Sequence, residues 1–145
     1  MLMVRRSEGQ GHYTLASLRK GRAYKPLTYN TMNEDIWKAR AAIIATLNDE
    51  FRVTGQGGKV YITRGVWEQG SAFVAEAVAG VRTFQGFTAE NDPDGEHDFG
   101  SFAVAGKTVN WQIDYYDADG DWASNDPSNP EMTTRVLTIF LAEEN

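Results

Sequence analysis

Between Thr108 and Tyr116 every second residue is large and apolar: Val109, Trp111, Ile113 and Tyr115 fall on one side of an extended chain, with Asn110, Gln112, Asp114 and Tyr116 on the other. A strand patterned this way needs a sheet beside it and an apolar layer over one face, which narrows the architectures open to the rest of the chain. Neighbouring segments supply the sheet. Phe99 to Val104 reads as a strand joined to it through a short turn at Ala105-Gly106-Lys107. Thr134 to Leu141 reads as another, and because Val136, Leu137, Ile139, Phe140 and Leu141 are apolar on both faces it is expected to lie centrally. Lys59 to Val66, with Val60 and Ile62 in alternation behind a Gly57-Gly58 turn, gives a fourth.

Two segments of helical period supply the apolar layer. Asn33 is a candidate N-cap ahead of Glu34 and Asp35, and Ile36, Ile43, Ile44, Leu47 and Phe51 recur as one stripe expected to be buried, up to a stop at Gly55. Ser71 to Gln85 repeats the pattern with Phe73, Val74, Ala77, Val78, Val81 and Phe84 before Gly86. The predicted fold is α+β in the order α-β-α-β-β-β, a mainly antiparallel sheet with both helices packed on one face, in a single domain over residues 33–145. Residues 1–32 carry no sustained apolar period and read as a basic, poorly ordered or accessory arm.

A chain of 145 residues is long enough for one domain that buries roughly 68–70% of its unfolded surface. It contains no cysteine, which excludes disulfides and thiolate metal sites. No run approaches the roughly 18 apolar residues of a membrane span, and Met1 to Gln10 has no apolar core of a signal peptide. A cytoplasmic location without membrane contact is therefore expected. The net charge of -6 conceals a division, with twelve Lys/Arg against seven Asp/Glu up to Gly86 and two against thirteen from Phe87 onward. An acidic half attracts basic protein surfaces or cations and repels phosphates; two halves facing each other would instead cancel in part.

Three segments could carry chemistry. Asn91 to Gly100 gathers acids around His97, and Glu96, His97, Asp98 and Asp114 are candidate catalytic groups: an imidazole among carboxylates can act as a general base or help bind a divalent metal. The spacing matches no metal-protease motif, and Asp-Pro and Asp-Gly are also ordinary turn chemistry, so a hydrogen-bonding loop histidine is the plainer alternative. Asp117, Asp119 and Asp121, with Tyr116, Trp122 and Asp126, form a second group. Carboxylates two apart could collect cation ligands, but with Gly120 at the sixth position the first is Tyr115 and the twelfth is not glutamate, so no calcium loop results and no metal or cofactor is assigned. Arg135, nearly alone among downstream acids, is expected in a structural ion pair with Asp114, Asp117 or Glu96; the alternative is an anion binder beside His97. In the arm, Arg5, Arg6, Arg19, Lys20 and Arg22 interleave with Tyr13, Tyr24 and Tyr29, a pattern compatible with weak single-strand contact and equally with an extension of no specific role.

The blocks Thr63-Arg64-Gly65-Val66, Asn91 to Gly100, Trp111 to Asp117 and Thr133 to Ile139 fall in an order that resembles a family of small bacterial proteins catalogued as domain of unknown function 3768, over about Ile36 to Glu144. The Asp119-Gly120-Asp121 stretch departs from the family's usual loop. The resemblance implies no established activity. It does imply an association with plasmids and other mobile elements, often near anti-restriction genes.

The leading expectation is a non-enzymatic acidic binding protein. Its second-half surface, anchored by Tyr116 and Trp122 and carrying Asp117, Asp119, Asp121 and Asp126, would dock on a basic patch of a nucleic-acid-handling or defence complex, in the manner of an anti-CRISPR or anti-restriction inhibitor. One alternative is a metal-assisted hydrolase or nuclease using the Glu96-His97-Asp98 loop. The other is direct nucleic-acid binding, which is expected only through the basic arm.

Overall fold

Ile62, Ile139, Trp111 and Gly100 stand side by side in one row across four hydrogen-bonded strands, and this row fixes the geometry of the whole sheet. The computed structural model describes residues 2–5 and 31–144, and only the backbone of residues 2–5 and 31–33. Five strands, β1 (Leu2–Arg5), β2 (Gly58–Thr63), β3 (Phe99–Val104), β4 (Lys107–Tyr116) and β5 (Thr134–Leu141), pair in the order β1-β2-β5-β4-β3. β3, β4 and β5 are antiparallel to one another, whereas β1–β2 and β2–β5 are parallel, so the sheet is mixed. The α+β class and the arrangement of helices over one face agree with the sequence. β1 is an addition: four residues expected in the arm belong to the sheet.

Among the described residues three α-helices accompany it: α1 (Thr31–Thr54), the single-turn α2 (Arg64–Trp67) and α3 (Ser71–Thr83). α1 starts ahead of the expected cap at Asn33 and stops where Gly55 adopts φ 72 and its N–H bonds Phe51 O. The strand expected to reach Val66 ends at Thr63, because the Thr63 hydroxyl caps α2 by accepting from Val66 N. Glu144 locks the same corner, its carboxylate accepting from Thr63 Oγ1, Gly65 N and Leu141 N at 2.7, 3.1 and 2.7 Å. α3 ends at Thr83 rather than Gln85, since Phe84 is already extended.

Ile44 and Phe51 of α1 and Phe73, Ala77 and Val81 of α3 pack on Val109, Trp111, Ile113 and Tyr115, all four of which are removed from water. Burying each such side chain is worth about 1.5–3 kcal/mol, so this layer is the main stabilising element. Gly100 lies under the Trp111 indole, where an added Cβ would come within 2.3 Å of Nε1. β5 is central and buried along its length from Arg135 to Leu141. The β3–β4 turn is tighter than expected: Ala105 and Gly106, at φ 47 and 80, form a two-residue turn and Lys107 already pairs with Val104. Ile36 and Ile43, expected in the buried stripe, are instead 59% and 52% exposed. α1 is about 36 Å long at 1.5 Å per residue, longer than an eight-residue strand of about 26 Å, so its first turns, with Ile36, outrun the sheet, whereas Ile43 sits mid-helix and is turned about 100° round the axis from the buried Ile44. Among the described residues no helix is long and apolar enough to cross a membrane.

Candidate functional site

One end of the core is polar. Tyr115 and Arg135 are paired neighbours on β4 and β5, both facing the helices, and Asn48 reaches them from α1. Asn48 Oδ1 accepts from Arg135 Nε at 2.7 Å, and its Nδ2 donates to Glu96 O at 2.9 Å and to the Tyr115 hydroxyl at 2.8 Å. The hydroxyl in turn donates to Glu96 Oε1 at 2.8 Å, and Arg135 Nη2 donates to Pro127 O at 2.6 Å. All four side chains are buried, and the guanidinium sits 5.4 Å from the Tyr115 ring centroid. Burial, with the charges of Asp98 and Glu96, pushes the Tyr115 hydroxyl well above the usual tyrosine range, so it remains a donor. Burial pulls Arg135 down, while Tyr115 and Glu96 act in the opposite sense.

The ion pair expected for Arg135 is thus not a direct one. Its hydrogen bonds go to an amide and a carbonyl oxygen, and Glu96 compensates its charge through Asn48 and Tyr115. The result still fixes two loops to the sheet, Glu96 holding the one before β3 and Pro127 the one before β5. Arg135 is not beside His97, so the anion-binding alternative loses its cation.

His97 is held on the outer side of the same loop. Its backbone is left-handed at φ 56, a conformation that costs about 1–2 kcal/mol for a residue with a Cβ. Its ring lies flat on Phe87, centroids 3.9 Å apart, with Nδ1 3.0 Å from an Asp49 oxygen of α1 and Nε2 3.8 Å from Asp92. The Asp92 carboxylate accepts from Glu96 N and His97 N, and burial, the largest influence, raises its pKa. Asp49 also takes Arg52 Nη2 at 3.0 Å, and Arg52 Nη1 donates to Val81 O at 2.7 Å at the end of α3. The Arg52 guanidinium lies against Phe87 and Trp111.

These contacts separate the candidate catalytic set. Glu96 is committed to Tyr115 and faces the helix layer, whereas Asp114, one residue away on β4, points to the opposite face of the sheet beside Gln112 Nε2. The two carboxylates cannot reach a common ion, and among the described residues no group of three or more His, Asp and Glu side chains is placed to hold a metal. Glu96, His97 and Asp114 of the candidate set are therefore not gathered at one point. The carboxylate partners of His97 are Asp49 and Asp92. Asn48, Asp49 and Arg52 escaped the sequence reading although Asn48 lies four residues after Ile44 and Arg52 beside Phe51, on the buried side of α1.

The third candidate group is an ordered loop. Asp117 N donates to Trp122 O at 2.7 Å, Gly120 N to Asp117 O at 3.0 Å, and the Asp117 carboxylate accepts from Asp121 N and Trp122 N. A bridge between Tyr116 and Ala123 closes its base. Asp119 and Asp121 are exposed, Trp122 is 77% exposed, and Tyr116 is half-buried. Asp126 differs: it accepts from Arg40 and from the Ser128 hydroxyl, which with Arg40 holds its carboxyl below the usual range. Of the basic arm, Arg6, Arg19, Lys20 and Arg22 lie outside the described residues, as does the side chain of Arg5.

No curated protein and no solved structure matches the chain. The family model covers residues 62–144, a stretch that begins later than the resemblance from Ile36 and runs from the last two residues of β2 through the Glu144 lock, with Glu96, Tyr115 and Arg135 but not Asn48. By that match, over more than half its length, the chain belongs to the family described as Protein of unknown function (DUF3768).

Proposed function

We propose that this chain is a non-enzymatic binding protein that uses the Asp117–Trp122 loop to dock on a basic, nucleic-acid-handling surface of another protein. The observation that carries this reading is Trp122: a large aromatic side chain 77% exposed, on a loop whose backbone is already fixed, flanked by the exposed carboxylates of Asp119 and Asp121. Tryptophan is enriched among residues that dominate binding energy, and a loop that is ordered before contact loses little freedom on docking. Neighbouring carboxylates steer such an anchor to an arginine- or lysine-rich face and away from nucleic acid itself. Most other acids of the second half are engaged within the fold. Asp92, Glu96, Asp114, Asp126, Glu143 and Glu144 have hydrogen-bond partners there, and Asp94 and Asp98 also interact within the protein, which concentrates the docking role on this loop.

A defence nuclease or CRISPR effector presents a face of this kind, and an accessory protein of a mobile element that covered it would exclude the nucleic acid by competition. The test is displacement of a labelled oligonucleotide from candidate effectors by the intact protein across a salt series. Trp122→Ala together with Asp119→Asn and Asp121→Asn should weaken displacement by about a hundredfold, on the order of 2–3 kcal/mol, with a shallower salt dependence. Equal displacement by the triple variant would remove the basis of the proposal.

A further inference from the structure

The end of α3 and the last turns of α1 enclose a cleft of about 480 Å³ with Phe84, Phe87, Arg82, Arg52, Asp49 and His97 in its walls. It lies apart from the Asp117–Trp122 loop and rests on different side chains. The single carboxylate is already engaged twice, by Arg52 Nη2 and by His97 Nδ1, each at 3.0 Å. Arg82 is different. Arg40, Arg52, Arg64 and Arg135 all have hydrogen-bonded side-chain or backbone acceptors, but the exposed Arg82 guanidinium has none among the described residues. With His97 neutral, the charged side chains of the cleft sum to one positive charge, in a protein whose net charge is -6.

A cation without an acceptor, beside aromatic side chains that include a parallel, stacked imidazole–phenyl pair, selects two properties in a ligand: a negative oxyanion and a flat ring. We propose that this cleft binds a small planar anion, a ring bearing a phosphate or a carboxylate, with Arg82 taking the oxyanion and the ring lying along the Phe84 and Phe87 side. Arg82 is the specificity-determining residue, because Arg52 is already held by the Asp49 carboxylate and by the Val81 carbonyl of α3.

The experiment is a titration of the intact protein with phenyl phosphate, benzoate and phenol, followed by NMR shifts of the Arg82 side-chain N–H and the Phe87 and His97 rings. At least one anion should bind about tenfold more tightly than phenol and shift all three residues, with the tighter of the two identifying the oxyanion. Arg82→Gln, at an exposed position, should abolish that preference while leaving the thermal midpoint unchanged. The proposal is overturned if phenol binds as well as both anions, if the preference survives Arg82→Gln, or if the shifts fall elsewhere.

Discussion

Replacing Asn48 by alanine removes three hydrogen bonds from the polar end of the core at once. Arg135 Nε loses its acceptor at 2.7 Å, and the Glu96 carbonyl and Tyr115 hydroxyl lose their donor at 2.9 and 2.8 Å. Asn48, Arg135, Glu96 and Tyr115 are all buried, so water does not replace the lost partners without opening the packing. A hydrogen bond to a charged group is worth about 1.5–3 kcal/mol and a neutral one about 1 kcal/mol, which gives a loss of about 3–5 kcal/mol for Asn48→Ala. Against a total stability of about 5–15 kcal/mol that is a large fraction. The assay is urea unfolding followed by tryptophan fluorescence, in which the fully buried Trp111 reports the core. With a slope of about 1–3 kcal/mol per molar urea, the midpoint should fall by more than about 1 M. In a cycle with Arg135→Met the double variant should cost at least about 1 kcal/mol less than the sum of the single ones. A loss under about 1 kcal/mol for Asn48→Ala, or additivity with Arg135→Met, would refute the network as the device that fixes the two loops.

Gly100→Ala should destabilise by about 1–3 kcal/mol, read as a lower thermal midpoint, because its Cβ would come within 2.3 Å of a fully buried indole that has no room to move. The two perturbed carboxylates predict opposite pH behaviour. Burial raises Asp92 from 3.8, so its contribution is full below that unfolded-state value and is lost as pH rises through the folded one; Asp92→Asn should therefore gain stability relative to wild type between about pH 3 and pH 7. Asp126 is lowered, chiefly by Ser128 and Arg40, so its contribution is present above 3.8 and lost as pH falls through the folded value. Asp126→Asn should accordingly be less stable than wild type near neutrality, with the gap closing in acid, as followed by urea midpoints across the pH range.

The strands were legible wherever one face is buried. Alternation in Thr108 to Tyr116 and the two-sided apolarity of Thr134 to Leu141 gave both their extents and the central place of the latter. β1 was not legible: four residues on an edge, paired with β2 in parallel, make too short a pattern to have a period. Periodicity alone also put Ile36 in the core, since it reports which side of a helix is apolar and not how far the sheet extends beneath it. The polar network was hidden for a chemical reason. Asn48, Asp49 and Arg52 are residues that usually face water, and only their position beside Ile44 and Phe51 on α1 signals otherwise. His97 was visible as a candidate, but its partner Asp49 lies 48 residues away and no local spacing links them.

Docking through Trp122 is tested most directly by placing a photo-crosslinking phenylalanine at position 122 of the intact protein in its host cell, with the same group at the exposed Glu76 of α3 as a control. The account predicts a discrete adduct with a protein that has a basic nucleic-acid-binding face, formed from position 122 only and lost when Asp119 and Asp121 are changed to asparagine. Adducts of equal yield from both positions, or an adduct at position 122 that survives the loss of the two charges, would contradict it.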